Sequence, residues 1–308
     1  MLISIITPCY NEEEVINETI RRFNSSIKNI NKYKFEFIFI DDGSTDKTYE
    51  ILKKNSLTDK KIKIISFSRN FGHQAALSAG LENCKGDAAI IIDADLQDPP
   101  ELINDMITKW NKGFKVVYGQ RIERKSETIF KKLSAKYFYR ILNFLTEVNI
   151  PLDTGDFRLI DKSIIDILKT MPENKKFYRG LIAWCGFKQS SIEYSRDKRF
   201  AGKTKYPLFK MIQFSLDGIL SLSIKPLKII TIIGFFIAFL SFIGISNIIY
   251  NKIFHGAMIT GWASILVAIL FIGGIQLISI GILGEYLGRS YSEIQKRPKY
   301  IINKKVGF

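Results

Sequence analysis

Apolar and polar positions along the chain fall into two regimes. Over roughly the first two thirds, short apolar runs alternate with longer segments in which apolar residues recur at helical spacing. The runs Leu2 to Thr7, Phe35 to Ile40, Ile62 to Phe67, Ala88 to Ile92 and Lys115 to Tyr118 predict strands. Between them, Glu12 to Ile30, Asp46 to Asn55, Gln74 to Cys84 and Pro100 to Asn111 predict helices. Strands that are apolar almost throughout are buried on both faces, so the pattern predicts an α/β domain with a mostly parallel sheet covered by helices. The last third reads differently. No charged residue occurs from Ile229 to Asn251 or from Ile253 to Gly284, and His255 is the only titratable side chain of the second run. Each run exceeds the ~20 residues that cross a bilayer core, and neither has a polar face. They predict a two-helix membrane hairpin with spans near 227–250 and 261–284. Leu208 to Leu222 is apolar but interrupted by Lys210, Gln213 and Asp217, which predicts a helix lying along the membrane surface. The expected division is a soluble domain over 1–206, a juxtamembrane segment over 207–225, the hairpin over 226–284 and a basic tail over 285–308.

Charge orients this plan. Lys203, Lys205, Lys210, Lys225 and Lys228 precede the first span, and Arg289, Lys296, Arg297, Lys299, Lys304 and Lys305 follow the second. Only Lys252 lies in the segment between the spans. The positive-inside rule therefore predicts a plasma-membrane protein whose soluble domain and two ends face the cytoplasm. Met1 to Pro8 has no basic stretch and too short an apolar run for a signal peptide. Across 308 residues, 45 Lys and Arg stand against 30 Asp and Glu, a net charge of +15. Such a balance points to an anionic partner, with lipid, phosphorylated substrate and nucleic acid as the candidates. The basic residues concentrate in Arg121 to Arg140 and in Arg196 to Lys210. Because the second stretch lies just before the membrane, anionic headgroups suit it best. Three scattered cysteines, Cys9, Cys84 and Cys185, with His73 and His255 as the only histidines, exclude a disulfide framework, a thiolate zinc site and a histidine metal cluster.

Polar residues gather where the predicted strands end: Pro8-Cys9-Tyr10-Asn11-Glu12, Asp41-Asp42-Gly43-Ser44, Ser68-Arg69-Asn70 and Asp93-Ala94-Asp95-Leu96-Gln97-Asp98. Open parallel sheets bind ligands at that edge. Asp93 and Asp95 are two apart, so in extended chain both carboxylates point to one side and suit Mg²⁺ or Mn²⁺ completed by substrate phosphates. Asp41 and Asp42 either cap the helix starting near Asp46 or accept hydrogen bonds from a base or ribose.

These segments, with Arg69-Asn70-Phe71-Gly72-His73-Gln74, resemble the nucleotide-sugar half of GT-A fold, family 2 glycosyltransferases. Asp153-Thr154-Gly155-Asp156-Phe157-Arg158-Leu159 and Arg199-Phe200-Ala201-Gly202-Lys203-Thr204-Lys205-Tyr206 resemble the polyprenyl-phosphate branch, which includes dolichol-phosphate mannosyltransferase. The two spans, Gly284-Glu285-Tyr286-Leu287-Gly288-Arg289 and Lys296-Arg297-Pro298 resemble bacterial bactoprenol glucosyltransferases, so the likeness covers essentially the whole chain. It implies a GT-A, Rossmann-like domain that transfers one sugar, with inversion, from a nucleotide sugar to undecaprenyl or another polyprenyl phosphate. UDP-glucose is the first choice of donor; UDP-linked galactose, N-acetylglucosamine or formyl-aminoarabinose, and GDP-mannose, stay open. Pro8, Tyr10, Glu12 and Asp41 would hold the uridine, Asp93 would lie near the ribose or metal, and Asp95 and Gln97 would complete the Mg²⁺ or Mn²⁺ site. Asp156 matches the position of the catalytic base, although a dianionic phosphate acceptor needs orientation more than deprotonation. Arg121 with Arg124 and Lys131 would meet the lipid phosphate, and Arg199, Lys203 and Lys205 would close over the donor diphosphate or the acceptor. His73 is expected to support the nucleotide pocket, and Cys9 to pack near the first strand end. The chain lacks the Gln-x-x-Arg-Trp motif of processive synthases. An acidic pair so close in sequence does not suit a glycosidase. A nucleic-acid binder would lack interleaved stacking aromatics and base-reading residues. A non-catalytic membrane subunit would leave the acidic motifs unexplained, and a homo-oligomer through the spans stays open.

Overall fold

The computed structural model describes residues 1–122, 148, 151, 154–195, 218, 220, 223–255 and 261–308. These fall into two units, Met1–Ser221 with Arg297–Phe308, and Leu222–Lys296. In the first, β1 (Leu2–Cys9), α1 (Ile16–Ile27), β2 (Lys34–Asp41), α2 (Thr48–Thr58), β3 (Ile62–Phe67), α3 (His73–Asn83) and β4 (Ala88–Ile91) alternate strand with helix, as predicted. A short 3₁₀ turn (Pro100–Leu102) leads into α4 (Ile103–Asn111), and β5 (Val116–Arg121) follows. Then come β6 (Thr154–Asp161), α5 (Lys162–Thr170), α6 (Tyr178–Trp184) and β7 (Gln189–Tyr194).

One sheet runs in the order β7-β5-β6-β4-β1-β2-β3, with a further strand, β8 (Ile302–Val306), beyond β3. From β1 the chain builds outward through β2 and β3, then returns to place β4 on the other side of β1, all in parallel. That reversal opens a crevice at the carboxyl ends of β1 and β4. The expectation of a mostly parallel sheet holds for these four strands, whereas β6 runs antiparallel to both β4 and β5, and β8 antiparallel to β3. The sheet is therefore mixed. Its direction at β6 matters for the site, because β6 begins where β4 ends. Ile91 pairs with Arg158; the same register, carried on by two residues, brings Asp156 level with Asp93.

Helices cover both faces. On α1, Ile16, Thr19, Ile20, Phe23 and Ile27 form one buried stripe, and Phe23 packs against Phe37 and Phe39 with ring centroids 5.8 and 6.2 Å apart. Burying a side chain of that size is worth about 1.5–3 kcal/mol. β6 escapes pattern recognition because Thr154, Asp156 and Arg158 occupy alternate buried positions and read as a polar loop.

The second unit consists of α7 (Lys225–His255) and α8 (Trp262–Ile294). Lys225–Tyr250 and Val267–Ile294 are long and apolar enough to span a bilayer. Their large side chains point outward, with Phe235 74%, Phe242 70% and Leu277 72% exposed. The tyrosine hydroxyl of Tyr286 donates to the Ser223 carbonyl at 2.6 Å. α8 runs ten residues past the predicted end of its span, to Ile294. The region read as a basic tail then carries β8, whose neighbour Tyr300 stacks on Phe67 at 4.9 Å and donates to Glu82 at 2.6 Å. Most of Leu208 to Leu222, and Arg124, Lys131, Arg199, Lys203 and Lys205, lie outside the described residues.

Candidate active site

At the ends of β1 and β2 the loops are fastened to each other by backbone groups. The Asn11 amide donates to Ser44 Oγ at 2.9 Å, the Thr45 amide to Asn11 Oδ1 at 2.9 Å, and the Glu12 amide to Thr48 Oγ1 at 2.8 Å. Each residue of Asp41-Asp42-Gly43 has its own task. Asp41 accepts from the Ser66 hydroxyl at 2.8 Å and the Ser44 amide at 3.0 Å, tying β2 to β3. Asp42 accepts from the amides of Phe71 at 2.7 Å and Gly72 at 2.9 Å, so it shapes the turn into α3. Burial pushes the Asp42 carboxyl up, and those two amides offset only part of the rise. Gly43 adopts φ +69°, and a Cβ there would lie 2.3 Å from the Arg69 carbonyl carbon, so no larger residue fits. Neither Asp41 nor Asp42 caps α2; Asp46 accepts from the Thr48 amide at 3.0 Å instead. Pro8 is buried, while Tyr10 and Glu12 are half-buried at this edge.

Next to β1, the acidic loop after β4 is held from behind. Asp95 is 7% exposed, and its Oδ1 accepts from the Gln97 amide at 3.2 Å. Leu96 adopts φ +57°, which for a leucine costs on the order of 1–3 kcal/mol and is tolerated only where surroundings impose it. Those surroundings include the Thr19 hydroxyl, which donates to the Ala94 carbonyl at 2.8 Å, and the buried carboxylate of Asp98. Asp98 accepts from the Tyr194 hydroxyl and lies 3.7 Å from the Arg121 guanidinium, whose Nε donates to Tyr194 at 3.2 Å. Arg121 crosses Gly155 so closely that a Cβ there would sit 2.6 Å from its Nη2. The described contacts of Arg121 thus run to Asp98 and Tyr194.

The acidic loop meets the start of β6 through His73, the first residue of α3. His73 Nε2 lies 3.2 Å from Asp156 Oδ2 and 3.8 Å from Asp93 Oδ1. Arg179 of α6 completes the group, donating from Nε to Asp156 Oδ1 at 2.7 Å and from Nη2 to Oδ2 at 3.0 Å. Burial alone would raise the Asp156 carboxyl, but Arg179 and His73 hold it well below the usual carboxylate range. Burial would lower His73, yet Asp156 and Asp93 raise it. Among the described residues no guanidinium forks onto Asp93. Burial, together with the charges of Asp95, Asp98 and Asp156, pushes it up to about 6 against the pull of His73.

The donor set bears on a divalent ion. Among the described residues no three His, Cys, Asp or Glu side chains form a metal-holding group. Asp93 and Asp95 nevertheless sit two residues apart in the loop after β4, beside the crevice, and Mg²⁺ or Mn²⁺ commonly binds through one or two carboxylates with substrate phosphates filling the remaining positions. The residues fit an ion of that kind. Of the residues singled out in the sequence, Asp93, Asp95, Gln97, Asp156 and Arg121 meet at one edge, and Pro8, Tyr10, Glu12 and Asp41 line the adjoining strand ends. Arg179 and Tyr194 carry no motif, and only their pairing with Asp156 and Asp98 marks them.

Comparison with known proteins shows the family. Residues 4–168 match the family described as Glycosyl transferase family 2, and residues 225–290 match the GtrB C-terminal hairpin. The chain is 49% identical over 304 residues to the uncharacterized glycosyltransferase YkcC of Bacillus subtilis, covering 99% of this chain and 94% of that one. It is 42% identical over 307 residues to the prophage bactoprenol glucosyl transferase homolog of Escherichia coli, covering 99% of both. Among solved structures, glucosyl-3-phosphoglycerate synthase of Mycobacterium tuberculosis, in complex with Mn²⁺, UDP-glucose and phosphoglyceric acid, is a distant likeness. Its TM-score is 0.47 at 20% identity, over 71% of this chain and 77% of that one.

Proposed function

Since the chain belongs to glycosyl transferase family 2, we propose that it moves a single sugar from a nucleotide sugar, UDP-glucose by first choice, to undecaprenyl or a related polyprenyl phosphate, inverting the anomeric carbon. α7 and α8 form the membrane hairpin, with the transferase unit on the cytoplasmic side, where a lipid phosphate and a soluble nucleotide sugar can both be reached. The carrying observation is that His73 lies within 3.8 Å of Asp93 and 3.2 Å of Asp156. Carboxylates from the loop after β4 and from β6 therefore flank one imidazole. Likeness to bactoprenol glucosyl transferases supports the lipid acceptor and the glucosyl donor.

Pro8, Tyr10, Glu12 and Asp41 hold the nucleoside in this reading, with Asp93, Asp95 and Gln97 facing its diphosphate. Mg²⁺ or Mn²⁺ held there would offset the charge that grows on the departing diphosphate. An acceptor phosphate oxygen forms the new bond to the anomeric carbon as the bond from that carbon to the diphosphate oxygen breaks. The acceptor is largely dianionic at neutral pH, its second pKa being near ~6, so no proton has to be removed from it. Asp156, engaged by Arg179 and His73, suits an orienting role better than that of a base. Arg121, Arg199, Lys203 and Lys205 are the candidate phosphate contacts. Purified protein with undecaprenyl phosphate, Mg²⁺ or Mn²⁺ and a panel of nucleotide sugars tests the reading. The expected result is a monoglycosylated lipid phosphate with equimolar nucleoside diphosphate, most rapidly from UDP-glucose; no product from any donor overturns it.

A further inference from the structure

Two elements converge on Asp156 in a way that its own motif does not specify. α3 delivers His73 directly from its first turn. α6 delivers Arg179, and its start is pinned to α3. Tyr178 is 2% exposed, its hydroxyl donates to Ser78 Oγ at 2.8 Å, and its amide donates to Gln74 Oε1 at 3.3 Å. The residue after Tyr178 therefore emerges at a set place beside the start of α3. From there the Arg179 guanidinium forks onto both oxygens of Asp156 at 2.7 and 3.0 Å, while His73 takes one of them at 3.2 Å.

A carboxylate offers about four lone-pair sites, and these contacts occupy three. A planar fork also fixes the plane of the carboxylate, which a lysine ammonium cannot do. We infer that Arg179 is a positioning residue for sugar transfer: it sets the plane of Asp156 and leaves a single direction in which that carboxylate can meet the reacting groups. The fork also cancels the Asp156 charge on the path of a dianionic acceptor. Arg179 itself need not touch either substrate. The inference rests on the transfer reaction proposed above.

The test compares wild type with R179K, R179Q and R179A in the full-length protein in lipid nanodiscs, measuring transfer kinetics, UDP binding and thermal unfolding. R179K keeps the charge and loses the fork. We expect kcat to fall about 100-fold in R179K, as for a catalytic group displaced by about 1 Å, with R179Q at least as low. UDP affinity and the KM for the nucleotide sugar should stay within about 3-fold of wild type. Added guanidinium should recover part of kcat in R179A and none in R179K, which a purely structural role would not produce. Wild-type kcat in R179K, or loss of UDP binding in step with loss of kcat, overturns the inference while the transfer reaction stands. A wild-type protein that transfers no sugar overturns the functional reading, and the inference with it.

Discussion

The two sides of the crevice are built on different principles. On the proposed donor side, the ends of β1, β2 and β3 are joined chiefly through backbone amides and hydroxyls: Asp41 to Ser44 and Ser66, Asn11 to Ser44 and Thr45, Asp42 to Phe71 and Gly72. Neutral donors dominate there, and each loop is held by the next one. On the acceptor side, Asp156 depends on His73, 83 positions away, and on Arg179, 23 positions away, and Asp98 depends on Tyr194, 96 positions away. Charged side chains dominate that half. The contrast teaches that loops at strand ends can be set by neutral hydrogen bonds, whereas Asp156 stays ionised in its buried place because cations from two other elements surround it.

Substitutions should separate the halves. The largest effect is expected for Asp95→Asn, which keeps an acceptor for the Gln97 amide but removes a charge from the proposed diphosphate and ion site. Transfer should fall about 10³-fold with the thermal midpoint unchanged, and near wild-type turnover would remove Asp95 from the ion site. Asp156→Asn should lower kcat about 100-fold and leave the KM for the nucleotide sugar alone. Asp41→Asn should do the opposite, raising that KM about 10-fold at constant kcat, the size of one charged hydrogen bond. If both variants changed the same parameter, the division into donor and acceptor sides would be wrong.

Two smaller effects concern stability. Tyr300→Ala removes the stack on Phe67 and the hydroxyl bond to Glu82. Calorimetry should show a loss of about 2 kcal/mol with transfer unchanged below the transition; an unaltered midpoint would mean that β8 does not secure the sheet edge. Asp161 starts α5 by accepting from the Ser163 amide at 3.0 Å and also accepts from the Trp110 indole at 2.7 Å. Burial would raise its carboxyl, but the Ser163 and Trp110 hydrogen bonds and Lys115 bring it down to about 2. A depressed carboxyl contributes stability above its unfolded value of about 4 and loses it as pH falls through about 2. The gap in thermal midpoint between wild type and Asp161→Asn should therefore be full above pH 4 and close toward pH 2; a gap independent of pH would assign the effect to the cap alone.

How much of this was legible depends on whether the signal is local. The first five strands, four of the helices and both apolar spans follow from periodicity, because burial on two faces or in lipid leaves a continuous apolar run. Asp93 and Asp95 stood out because they follow such a run. β6 did not, since its alternate residues are buried yet polar, and Asp156 finds its cations only in Arg179 and His73 from other elements. β8 did not either, as a lysine-rich strand at a sheet edge looks like a solvated tail.

The amino-acid sequence by itself determined the α/β unit, the apolar hairpin and its charged flanks, and the carboxylates at the strand ends, since each is written in the spacing of neighbouring residues. Tertiary structure alone decided that β6 runs antiparallel to β4, so that Asp156 comes level with Asp93, and that Arg179, which belongs to no motif, engages it together with His73. Strand direction and ion pairing are settled by which distant groups must share the same low-dielectric space, and the linear order of residues does not record that.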